Sequence, residues 1–204
     1  MKTWPFNVQN IQQIPGLTIP EQHSQYQELV RSLPSNPKFL EIGCGWGRST
    51  WAWLDVLPCD TQYYILDNFS LPSSHLLKSV PNIYPSKEIK RIIKGNIQQR
   101  EIFDNIIKQH KKHTLIKNLW HMSGADWRTH NDYTDDWDLV YLDDDHEYAT
   151  ISVWLESFKN VPMVCGDDYS VFFPDVVSAV DEYVKKYNRK FISLPGSFWV
   201  IENS

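Results

Sequence analysis

The chain has 204 residues, with 20 Lys and Arg against 25 Asp and Glu, a formal net charge of −5 and 42% hydrophobic residues. That length fits one domain around one core, and the apolar fraction excludes wholesale disorder. The acidic balance argues against nucleic acid as the partner, since phosphate binding needs a basic field, and no run approaches the roughly 18 consecutive apolar residues that cross a membrane.

Residues 1–20 carry Pro5, Pro15 and Pro20 and read as an irregular arm laid over the body; with the segment to residue 36 they form an N-terminal arm and helix ahead of the first strand. MKTWPFNVQN has no apolar stretch of the secretory type. Trp4 and Phe6 in the arm would suit a partner surface, a second copy of the chain included. Residues 20–33 open on a proline and space Tyr26, Leu29, Val30 and Leu33 at helical intervals. KFLEIG (38–43) reads as a buried parallel strand, 47–57 as a helix and 62–69 as a second strand ending in an acid. Residues 70–97, with Pro72, Pro81, Pro85 and a basic stretch, read as an insertion that could act as a lid. An amphipathic helix at 98–112 follows, then strands at 118–124 and 137–144, a helix at 147–158, a strand at 161–168, a helix at 176–187, and strands at 190–194 and 197–203.

Alternation of strands and helices predicts an α/β fold: a Rossmann-like, doubly wound sheet of seven strands, mostly parallel. Pro195-Gly196 is too short a link for a helical crossover, so the last strand must run antiparallel. The ligand site of such a sheet lies outside the carboxyl ends of its strands, where the acidic strand ends gather. Of the nine tryptophans, most belong in the core and some line a pocket. Cys44, Cys59 and Cys165 have no metal-type spacing and cannot build a disulfide framework, which points to a reducing, cytoplasmic setting.

The first strand-to-helix turn is EIGCGWGRST (41–50). Gly43, Gly45 and Gly47 allow a sharp turn and a close approach to a ligand, and the following helix offers free N–H groups. Arg48 stands where a dinucleotide fingerprint requires its third glycine, and the Gly-Lys-Ser/Thr ending of a phosphate loop is missing. E-x-G-x-G-x-G resembles the first motif of class I S-adenosylmethionine-dependent methyltransferases. The resemblance implies that Glu41, Gly43, Cys44, Gly45, Gly47, Arg48 and Ser49 wrap the amino-acid part of that cofactor. Asp67, with Asn68, ends the second strand, where a carboxylate can accept both ribose hydroxyls of an adenosine. The resemblance places Ala125 and Asp126, with Trp127 next to them, at the adenine; Asp126 could equally cap a helix.

Asp143 closes the fourth strand, Asp167 and Asp168 the fifth. These strands are expected to be neighbours, about 4.8 Å apart, so their terminal carboxylates converge. Gathered carboxylates are costly unless a cation joins them, and oxygen ligands favour Mg²⁺, Ca²⁺ or Mn²⁺. Capping accounts for one acid at each site, not for two clusters. His146, three residues beyond Asp143, could take a proton from a substrate hydroxyl. D-x-x-H followed by a strand ending in an acidic pair resembles the metal-dependent branch of the class I methyltransferases, which includes sugar and macrolide O-methyltransferases and proteins related to cephalosporin hydroxylase. That resemblance implies Asp143, Asp167 and Asp168 as metal ligands and His146 as general base, with methyl transfer to a hydroxyl of a small polar molecule. Asp144 and Asp145 follow Asp143 where the relatives commonly carry a small residue. The alternatives are other chemistry on the same fold, or a binding module without catalysis.

Overall fold

In the computed structural model, which describes residues 6–70, 87, 89, 90, 94 and 98–203, the first strand is β1 (Lys38–Ile42). Its side chains alternate between two cores: Phe39 packs with Tyr63 and Trp53 on one face, Leu40 and Ile42 with Trp154 and Leu142 on the other. A strand buried on both faces is what an unbroken apolar run such as FLEI encodes, except that Glu41 lies within it.

The other strands are β2 (Gln62–Asp67), β3 (Ile116–His121), β4 (Leu139–Leu142), β5 (Met163–Gly166), β6 (Lys190–Ser193) and β7 (Trp199–Glu202). Their order in the sheet is β3-β2-β1-β4-β5-β7-β6. β1 to β5 pair in parallel, and β7 runs antiparallel to both β5 and β6, as the short link through Pro195 and Gly196 requires. The α-helices whose bounds lie among the described residues are α1 (Pro20–Val30), α2 (Arg48–Val56), α3 (Gln99–Ile107), α4 (Gly124–Arg128), α5 (Tyr148–Ser157) and α6 (Pro174–Tyr187). The apolar faces of α1 to α3 belong to one core and those of α4 to α6 to the other, so the sheet is covered on both sides.

Three elements differ most from the pattern expected of the sequence, the first being α3, which ends at Ile107 rather than at 112. β3 ends at His121 rather than 124, because Ser123 caps α4, a short helix that five residues are too few to announce by periodicity. The predicted insertion at 70–97 lies, but for residues 70, 87, 89, 90 and 94, outside the described residues. All eight described tryptophans are buried, and Trp46 also lines the cavity described below. Phe6 is partly buried against the core, and Trp4 lies outside the described residues. No helix among the described residues is long and apolar enough to cross a membrane.

The order of winding reverses between β1 and β4: β1 leads out to β2 and β3, β4 to β5. A crevice forms at such a switch point, beyond the carboxyl ends of the strands. The residues that follow β1 and β4 are Gly43 and Asp143.

Candidate functional site

The turn after β1 holds Gly43, Gly45 and Gly47 at φ of 86°, 54° and 91°, the left-handed region that glycine enters without steric cost. Gly43 is the tightest of them. A β-carbon there would sit 2.0 Å from the carbonyl oxygen of Asp143, so the glycine is what lets the end of β1 pass the end of β4. The loop is then fastened from β2. Asp67 Oδ2 accepts the N–H groups of Cys44 and Gly45, both at 2.7 Å, while Oδ1 accepts the N–H of Phe69 at 2.5 Å. Asp67 thus acts first as the anchor of the glycine loop.

Behind the loop lies Glu41, fully buried. It accepts hydrogen bonds from Ser49 Oγ and Thr50 Oγ1, both at 2.6 Å, and from the Tyr63 hydroxyl. Burial pushes its carboxyl up to about 7, against which those three hydroxyls pull down. A carboxyl with a raised folded-state pKa contributes stability that is complete below its unfolded value near 4.5 and is lost as pH rises through about 7. Glu41→Gln is therefore expected to flatten the decline in melting temperature between pH 4.5 and 7. The wild-type decline in that window corresponds to about 3 kcal/mol for this group, and melts across the range measure the difference.

A cavity of about 470 Å³ opens in front of the loop. Its walls combine the loop (Gly43 to Trp46), the acids after β4 (Asp143 to Asp145, with His146), Asp167 and Asp168 after β5, and Pro15 to Thr18 of the arm. The arm is seated by Arg48, the first residue of α2. Its Nη1 donates to the carbonyls of Ile14 and Gly16 at 3.1 Å each, and its Nη2 to Gln12 Oε1 at 3.2 Å. Sequence reasoning set the arm over the body but did not make it a wall of this cavity; two prolines before the first helix and a third at its start carry no signal of where they dock.

The acids are not equivalent. One ligand atom each from Asp143, His146 and Asp168 lie within 4.8 Å of one another. Asp143 accepts the Tyr141 hydroxyl at 3.2 Å, and burial with the nearby charges of Asp167 and Asp168 lifts its carboxyl well above the usual range. His146 Nε2 is 2.5 Å from Asp168 Oδ2, a bond that raises the imidazole, and the ring stacks on Phe173 at 4.6 Å between centroids. Asp168 has φ of 65°, a left-handed conformation that Asp tolerates better than most residues. Asp167 lies beside them, but its carboxylate faces elsewhere: Oδ2 accepts from Gln22 Nε2 at 2.9 Å, and Oδ1 from the N–H of Asp168 at 2.8 Å. Burial raises it to about 6.

No protein-family model and no curated protein matches the sequence. Solved structures do match the architecture. The O-methyltransferase TomG from Streptomyces achromogenes, involved in tomaymycin synthesis and solved with SAM, superposes with a TM-score of 0.55 over 93% of this chain and 83% of its own, at 14% identity. An O-methyltransferase from Bacillus cereus in complex with SAH gives 0.51 over 93% and 84%, at 14% identity. Precorrin-6y C5,15-methyltransferase from Geobacter metallireducens gives 0.52 over 90% and 87%, at 10% identity. The chain has the class I methyltransferase fold. Likeness at these identities is one of fold.

On that methyltransferase fold the residues expected to bind cofactor fall into two groups. Gly43, Cys44, Gly45, Arg48, Ser49, Asp67 and Asn68 all border the cavity. Glu41 and Gly47 stand behind it: Glu41 secures the first turn of α2, and Gly47 caps that helix against Phe103 and Ile107. Ala125 and Asp126 also stand away from the cavity lining. Asp126 lies inside the first turn of α4, where its N–H and its carboxylate both meet the hydroxyl of Ser123 (3.1 and 2.6 Å); the cap is Ser123, and not Asp126 as the sequence reading had allowed.

Proposed function

We propose that the protein transfers a methyl group from S-adenosylmethionine to a hydroxyl oxygen of a small polar molecule, a sugar or natural product, with Mg²⁺ or a related divalent cation orienting the acceptor. The observation that carries this reading is that one cavity joins the glycine loop to the acids of β4 and β5. A cofactor held at the loop and an acceptor held at the acids would share one space, and positioning of this kind accounts for most of what such a transfer needs.

The residues fit both groups. Among the described residues the walls bring together Asp67, Asp143, Asp144, Asp145, Asp167 and Asp168, while Arg48 is committed to the arm. That balance suits a sulfonium and a divalent cation. Asp143 and Asp168 would hold the cation, and Asp67, with one oxygen making a single hydrogen bond, would meet the ribose. When bound, S-adenosylmethionine supplies a methyl group already activated on sulfur, and the cation supplies charge that favours an ionised hydroxyl. His146 is held through Nε2 by Asp168 and flat against Phe173, and its Nδ1 makes no hydrogen bond among the described residues. That nitrogen is placed to take the acceptor's proton. The free cysteines Cys44, Cys59 and Cys165 are in keeping with a cytoplasmic setting.

Thermal melts with S-adenosylmethionine, S-adenosylhomocysteine and NAD, each with and without Mg²⁺, test the reading. The two sulfur nucleosides are expected to raise the melting temperature and NAD to leave it unchanged. In a labelled-methyl assay against a panel of sugar and phenolic hydroxyls, a chelator is expected to abolish transfer. Transfer that survives chelation removes the cation from the account and leaves the methyl chemistry.

A further inference from the structure

Gln22 is 1% exposed, yet it belongs to α1, which contributes nothing to the sheet. A buried primary amide needs partners for its donors and its acceptor, and this one has them. Oε1 accepts the N–H of Ile19 at 3.1 Å, next to the arm residues that wall the cavity. Nε2 donates to Asp167 Oδ2 and to the carbonyl of Gly196, both at 2.9 Å. Asp167 in turn spends its other oxygen on the N–H of Asp168, at 2.8 Å. Asp168 is the residue held in left-handed backbone geometry, and its carboxylate meets His146. The line of contacts runs from the arm, through Gln22 and Asp167, to Asp168.

We propose that Gln22 is a positioning residue for the acid cluster: by orienting Asp167 it fixes the backbone turn at Asp168, and with it the direction of the Asp168 carboxylate towards Asp143 and His146. On this assignment Asp167 is a buttress and Asp168 the ligand. The proposal rests on the cation reading above. Its consequence is that the affinity for a divalent cation depends on a residue that touches no cation. Partners that orient a ligating carboxylate are worth about 10- to 100-fold in metal affinity when removed.

The test is a Mn²⁺ titration followed by electron paramagnetic resonance on wild type, Gln22→Met, Gln22→Ala and Asp168→Asn. Melting curves and the calorimetric heat of S-adenosylhomocysteine binding confirm that each variant is folded. Methionine matches glutamine in length and cannot hydrogen-bond to Asp167. We expect Gln22→Met to weaken Mn²⁺ by about tenfold or more, with Asp168→Asn losing it; Gln22→Ala serves if the longer side chain disturbs packing. A folded Gln22 variant that binds Mn²⁺ within about twofold of wild type, while Asp168→Asn does not bind it, overturns this proposal alone, and a lowered melting temperature with unchanged Mn²⁺ affinity counts the same way. Wild-type protein that binds no Mn²⁺ overturns the cation reading and this proposal together.

Discussion

Gly43→Ala is expected to abolish binding of S-adenosylhomocysteine and to destabilise the protein by about 3 kcal/mol or more. Two costs add. The residue has φ of 86°, where any side chain is strained, and its β-carbon would fall 2.0 Å from the Asp143 carbonyl oxygen and 2.4 Å from the carbonyl carbon. Backbone atoms are what it would strike, so no side-chain movement relieves the overlap and β1 and β4 must part at their carboxyl ends. The glycine loop and Asp143 lie on the two sides of that contact, and the variant should lose cofactor and cation affinity together. Calorimetry gives the first, as the disappearance of saturable heat. A well-folded Gly43→Ala protein with wild-type affinity would show that the loop does not form the cofactor's seat.

Asp168→Asn is expected to remove methyl transfer while S-adenosylhomocysteine still binds within several-fold of wild type. Asparagine is chosen because it tolerates the left-handed backbone at this position (φ of 65°) and keeps the shape of the side chain, so the change is one of charge. Asp143→Asn should behave alike, since it lies in the same group with His146. Cofactor binding is expected to survive because the loop's fastening runs through Asp67, on the far side of β1 from β4 and β5. Measured turnover near wild type in both variants would leave the acids as structural caps and remove them from catalysis.

Much of this site could be read from the residues alone. The alternating glycines between an apolar strand and a helix, and the acids at the ends of WDLVYLDD and VPMVCGDD, place themselves at the carboxyl edge once the strands are recognised, because a parallel sheet brings all such ends to one side. The antiparallel β7 followed from a link too short to cross over. What pattern could not supply was the division of labour among like side chains. Nothing in the order of Asp167 and Asp168 says that the first turns back to Gln22 and the second forward to His146; that depends on the sign of one backbone angle. Nor could it say that Asp67 spends both oxygens on main-chain N–H groups, or that Glu41 is sealed behind the loop by three hydroxyls. Arg48 was set apart as the residue that spoils a dinucleotide fingerprint; its work is to pin the arm, a contact between residues 32 and 34 positions apart that no local motif records.

The most direct test of the central claim is an isothermal titration of the purified protein with S-adenosylhomocysteine, repeated with S-adenosylmethionine. The account predicts saturable heat at one site per chain for both, lost in Gly43→Ala and retained in Asp168→Asn. The absence of saturable heat with either nucleoside, from protein shown by its melting curve to be folded, would contradict it.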